Sequence, residues 1–149
     1  MGTTWILIAD SSRARIFEKK GREKNLQEIE DFVNPAGRAA SNELRTDERG
    51  RFYGRGEQYH GHTADPSVFP VEHENEMFSH TVTKYLDDAR KTQRYEHLYL
   101  IAAPKFLGLI RGNLGEEVKK MVEGELHKDI STLKSREIEA YVNEEIDFL

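Results

Sequence analysis

Two sets of residues in this chain have types and spacings that could do chemistry. Arg49, Arg51 and Arg55 are interleaved with Phe52, Tyr53 and Tyr59, the mixture by which a loop neutralises phosphates and stacks on exposed bases. Over residues 49–62 three Arg stand against the single Glu57, a local positive surplus in a chain whose formal net charge is −5. The plainer account of the same composition is a solvated loop whose Arg side chains pair with Glu43, Asp47 and Glu48 or with a second subunit. Gln58 closes the run Gly54-Arg55-Gly56-Glu57-Gln58, where the glycines let a long loop turn and the glutamine reads as a solvated loop residue. His60 and His62 lie in the same stretch, and His73, Glu76 and His80 follow at spacings that could converge on zinc. They do not form the His-Glu-x-x-His arrangement that sets two imidazoles one turn apart with a catalytic carboxylate. Surface or loop-docking histidines are the simpler expectation, and no metal or other cofactor is expected.

Several chemistries are excluded outright. With no cysteine there is no disulfide, thiolate nucleophile or Cys-ligated zinc, and nothing opposes a reducing compartment. Ser11 or Ser12, a histidine and Asp10 could be drawn as a triad, but no Gly-x-Ser-x-Gly elbow accompanies them. The glycines fit neither a phosphate-binding loop nor a dinucleotide fingerprint. The N-terminus lacks a basic region followed by an apolar stretch and a cleavage site, and no apolar run approaches ~20 residues. A cytoplasmic protein without membrane insertion is expected.

These residues must be positioned by a scaffold, and the 149-residue length with 37% apolar composition fits one domain with its own core. Trp5 to Ala9 is continuously apolar, Arg13 to Glu18 alternates, and Leu26 to Val33 alternates more loosely, so three strands are predicted. Short links at Asp10-Ser11-Ser12 and Lys20 to Lys24 make them an antiparallel meander. A long Arg/Gly/His loop follows at about 34–69, with glycines at 37, 50, 54, 56 and 61; uncovered segments of that length are usually functional or disordered. From Pro70 the apolar residues Met77, Phe78, Val82, Tyr85, Leu86 and Ala89 keep one helical face. His97 to Ala103 reads as a central strand and Pro104 starts a helix at its carboxyl end. A helix at Gly115 to Glu123, a strand at Glu125 to Ile130 and a last helix from Ser135 complete the chain. The order β-β-β-α-β-α-β-α predicts an α/β fold with a single mixed sheet, helices on its faces, of ribonuclease-H-like type. Such a nuclease needs carboxylates converging on strand ends to hold two metals. Asp10 could be one, but the central strand ends in Ala102-Ala103-Pro104-Lys105, so Asp10 is read instead as a turn or cap residue. The crevice outside Pro104 to Gly108 is where α/β sheets often bind ligands.

Trp5 to Phe17, Ser41-Asn42-Glu43-Leu44, Thr46 to Arg51, Asp65-Pro66 leading to Glu72-His73-Glu74, and Leu98 to Gly108 together resemble the bacterial family "protein required for attachment to host cells". That family is similar, at fold level, to the middle domain of archaeal and eukaryotic peptide-chain release factors, which presents a Gly-Gly-Gln loop to peptidyl-tRNA. This resemblance implies a release-factor-like scaffold and a ribosome or tRNA partner. Gln58 is the matching position for the loop glutamine, without the adjacent Gly-Gly pair. The expectation is a non-catalytic binding module contacting structured RNA through residues 34–66. A peptidyl-tRNA hydrolase and a protein–protein attachment factor are the alternatives, and the oligomeric state is left open.

Overall fold

A computed structural model describes residues 2–36 and 68–147, with side chains from residue 71 onward in the second stretch. The elements in chain order are β1 (Thr3–Ala9), β2 (Arg13–Lys20), β3 (Gln27–Val33), α1 (Val68–Lys91), β4 (His97–Ala102), α2 (Pro104–Asn113), α3 (Glu116–Lys119), β5 (Val122–Leu126) and α4 (Ser135–Glu145). They build one five-stranded sheet in the order β3-β2-β1-β4-β5. β1 pairs antiparallel with β2 and parallel with β4, so the meander and the crossover half of the sheet meet on it. β2 pairs antiparallel with β3, and β4 pairs parallel with β5. This is the expected mixed α/β sheet of ribonuclease-H-like type, with the short α3 inserted before β5.

The two faces of the sheet explain the sequence patterns. Trp5, Leu7 and Ala9 of β1 face α1, α2 and α3, while Ile6 and Ile8 face α4. A strand covered on both faces has no polar face to alternate with, hence the unbroken apolar run. Phe78, Val82, Leu86 and Ala89 form the buried stripe of α1, and Ile138 and Val142 form that of α4, with Ile146 buried just past its end. Trp5 anchors the first face: it stacks on Tyr95 at 4.7 Å between ring centroids, and the Arg94 guanidinium lies 4.9 Å over its ring. Its indole N–H donates to Glu18 Oε2 at 3.1 Å, so the buried ring keeps a partner for its one polar atom.

The structure moves two boundaries. The last strand is Val122–Leu126, not Glu125–Ile130, because Val122 pairs with Leu98 and Gly124 with Tyr99. A Cβ at Gly124 would approach the Tyr99 ring to 3.3 Å, so the glycine lets the strand pass the aromatic ring. The helix expected over Gly115–Glu123 is the single turn Glu116–Lys119. At the start of α4 the N-cap residue is Lys134, whose backbone N–H is held by Glu137 Oε1 at 3.0 Å. Ser135 instead donates its hydroxyl to Glu28 Oε1 at 2.7 Å.

That bond belongs to a network that ties α4 to the sheet. Arg15 forks onto Glu28 through Nε at 2.9 Å and Nη2 at 3.0 Å, and its Nη1 donates to the carbonyls of Ser131 at 2.8 Å and Leu133 at 2.6 Å. Planar donors in a fixed fork suit this double task, which an ammonium could not perform. The Arg15 hydrogen bond holds the Glu28 carboxyl down at about 2. Beside it, the hydrogen bond to Glu28, then burial, pushes Asp31 up to about 6, with Arg15 offsetting part of the rise.

Two outcomes follow from the network. Arg15→Ala should destabilise the fold by about 2 kcal/mol in urea titration, toward the low end for a broken ion pair because the site is partly solvated, and Arg15→Lys should recover little of it. For Asp31 the folded pKa exceeds its ordinary value, so the stability it contributes is complete below about pH 4 and is lost as pH rises through about 6. Asp31→Asn should therefore raise the unfolding free energy at pH 7 by a few tenths to about 1 kcal/mol, allowing for solvent screening, and lose that advantage at pH 4.

Candidate functional site

The carboxyl ends of the parallel strands β1 and β4 open onto one cleft of about 420 Å3. β1 ends at Asp10, which turns the chain into β2: Oδ1 accepts from the backbone N–H of Ser12 at 2.8 Å and of Arg13 at 2.9 Å. Oδ2 accepts from the fully buried Ser131 hydroxyl at 2.8 Å. Both carboxylate oxygens are thus committed to the fold, as the turn-residue reading of Asp10 expects. β4 ends with Ala103 N–H donating to Ala9 O at 3.3 Å, and Pro104 then sets the first turn of α2. The floor of the cleft is apolar, formed by Ala103, Phe106 and Leu109, at the crevice the sequence placed outside Pro104 to Gly108. Among the described residues its rim is acidic, with Asp10, Glu72, Glu76 and Asp129 against Lys105. A rim with that imbalance repels phosphate groups.

The cleft adjoins the corner from which the chain leaves toward residue 37 and to which it returns at residue 68. Asn34 holds this corner. It is 3% exposed, its backbone N–H donates to Ser12 O at 2.9 Å, and its Nδ2 donates to Ser11 O at 2.8 Å and to Asn75 Oδ1 at 3.0 Å. Its Oδ1 accepts from Ala36 N–H at 3.2 Å. Every polar group of its side chain is used. Asn75 lies two turns into α1, so one side-chain bond joins the strand before the 37–67 segment to the helix after it.

Of the residues singled out from sequence, Arg49, Arg51, Phe52, Tyr53, Arg55, Gln58, Tyr59, His60 and His62 lie outside the described residues. His73 and His80 are both exposed on α1. His80 Nε2 sits 3.6 Å from Glu76 Oε2, an i,i+4 pair, and the structure brings no third ligand to it. Among the described residues no group of three or more His, Asp or Glu could hold a metal ion, and no helix is long and apolar enough to cross a membrane. Sequence reasoning missed Asn34, Asn75 and Ser131. Asn34-Pro35 gave a signal, but only of a strand end, since its partner stands 41 positions away.

A three-strand antiparallel meander joined through β1 to parallel β4 and β5, with a cleft at the carboxyl ends of β1 and β4, defines a ribonuclease-H-like α/β domain. The chain belongs to the family described as "Protein required for attachment to host cells", whose model matches residues 5–142. Among solved structures it is similar to an archaeal translation termination factor, aRF1, with a TM-score of 0.51 at 13% identity, covering 95% of this chain and 38% of that one. It is also similar to the type II variant of the Aquifex aeolicus Ppx/GppA phosphatase, with a TM-score of 0.42 at 12% identity over 85% of this chain and 35% of that one. The chain therefore spans well under half the length of either protein. No curated protein sequence matches it significantly.

The role of Asp10 is testable by substitution. Asp10→Asn keeps an oxygen for the Ser12 and Arg13 amides and should cost less than about 1 kcal/mol, while Asp10→Ala strands those donors and should cost about 2 kcal/mol in thermal unfolding. Neither the wild type nor Asp10→Asn should gain stability from millimolar magnesium, and a magnesium-dependent rise lost in Asp10→Asn would reassign Asp10 to metal binding.

Proposed function

We propose that this protein is a non-catalytic binding module that contacts structured RNA, of the ribosome or tRNA, through the 34–66 segment. The observation that supports it is the Asn34 to Asn75 bond, which fastens the strand before the segment to the helix after it. A chain fixed at both ends is presented by the scaffold at lower ordering cost than a free tail. The composition of what is presented, Arg49, Arg51 and Arg55 among Phe52, Tyr53 and Tyr59, fits phosphates and exposed bases. The likeness in fold to a translation termination factor accords with a partner in translation without carrying the reading. A ribosomal partner would place this work in the cytoplasm. Protein–protein attachment through the same segment is the second reading, favoured by the family's description.

Co-sedimentation with ribosomes at low and moderate salt separates them. Binding should fall steeply with salt, and Arg49→Ala/Arg51→Ala/Arg55→Ala should lose most of it and lower the log–log salt slope by about 2–3. Absence of wild-type binding at either salt overturns the RNA reading and leaves protein attachment. Peptidyl-tRNA should remain intact in the same mixtures; turnover that disappears in Gln58→Ala would overturn the non-catalytic assignment.

A further inference from the structure

β3 ends the sheet, and no strand lies on its outer side among the described residues. The bond from Asn34 N–H to Ser12 O, with the register Val33 to Arg13 and Asp31 to Arg15, sets which backbone groups point outward. In an antiparallel ladder hydrogen-bonded and non-hydrogen-bonded pairs alternate. Asn34, Phe32 and Glu30 therefore bond inward to β2, and Asp31 and Val33 turn their N–H and C=O to the open edge. Such an edge is a template for another strand unless something blocks it.

The side chains along it are selective. β3 carries Glu28, Glu30 and Asp31 and no cation. Arg15 neutralises Glu28, whereas among the described residues neither Glu30 nor Asp31 has an ion-pair partner; Asp31 shares a hydrogen bond with Glu28, and Glu30 meets the Tyr85 hydroxyl at 3.5 Å. The other sheet edge differs, since Glu123 and Glu125 of β5 are already paired with His97 and Arg111. Beyond Asp31 the β3 edge becomes apolar: Val33 is 52% exposed and Met77 is 48% exposed, and with Phe32 and Pro35 they border a groove of about 240 Å3. A second copy pairing antiparallel here would set acid against acid across the junction, which is destabilising for directly opposed like charges.

We propose that the open edge of β3 takes up an extended segment of a partner protein, antiparallel, with two apolar residues opposite Val33 and Phe32 followed by two basic residues opposite Asp31 and Glu30. Main-chain bonds to Asp31 and Val33 supply the attachment, and the cations opposite Asp31 and Glu30 supply the choice of partner. Opposed residues share a face, so one cation and one apolar side chain fall on each side of the sheet. The acidity of this edge disfavours RNA.

The probe is the peptide Thr-Thr-Val-Ile-Lys-Lys-Thr-Thr, labelled for anisotropy, beside its Glu-Glu counterpart. The full chain should bind the lysine peptide at least tenfold more tightly than the glutamate peptide, with amide shifts centred on residues 30–34. Glu30→Gln/Asp31→Asn should abolish most of that preference. Val33→Pro removes an outward N–H without removing an inward ladder bond, and should lose both peptides while keeping the far-ultraviolet spectrum of the parent. Equal affinity for both peptides, shifts centred elsewhere, no binding at millimolar peptide, or a concentration-dependent dimer that is lost in the Glu30→Lys variant or in Val33→Pro would each overturn the proposal.

Discussion

The fold depends on β1 being paired along both edges and covered on both faces. Six residues, Thr4 to Ala9, have an antiparallel partner on one side and a parallel partner on the other, and all six are buried. A strand in that position cannot slip by one residue, because Trp5 and Leu7 would exchange faces with Ile6 and Ile8 and leave the α1 and α4 stripes unmatched. The fixed register brings the ends of β1 and β4 level, so the turn at Asp10 and the start of α2 at Pro104 flank one cleft. It also sets the distance between the β2 edge and the turn before α4 that Arg15 spans.

Much of this was legible in the residues. The uninterrupted run from Trp5 to Ala9 announces a strand with no solvent face, and Phe78, Val82 and Leu86 announce a helix with one buried stripe. Pro104 after an apolar strand places α2 and the crevice with little ambiguity. Where the reading missed, the deciding partner was distant in sequence. The strand expected over Glu125–Ile130 begins at Val122, where Leu98 and Tyr99 supply the pairing, and the bond from the Ser135 hydroxyl to Glu28, 107 residues away, had no local signal. Asn34 reads as a strand end in isolation and becomes a fastening only beside Asn75. Local patterns report periodicity and turn chemistry, whereas a buried polar side chain is explained by whatever satisfies it.

The electrostatics divide the surface into regions with different prospects. The β1–β4 cleft and the β3 edge both carry unbalanced carboxylates, whereas the sequence from Arg49 to Arg55 holds three Arg and no acid. A likeness of fold to a termination factor says nothing by itself about chemistry, since one scaffold hosts many functions. The assignment to RNA rests on where the cations and aromatic rings stand in the sequence and on the bond that fastens the two flanks of their segment.

Ultraviolet cross-linking of the full chain to ribosomes, followed by mapping of the modified residues by mass spectrometry, tests that assignment most directly. The account predicts adducts on Phe52, Tyr53 or Tyr59 and none on the acidic cleft or on β3. Adducts confined to the described domain, at Phe106 or Phe32 for example, or no adducts under conditions where the protein co-sediments, would contradict it.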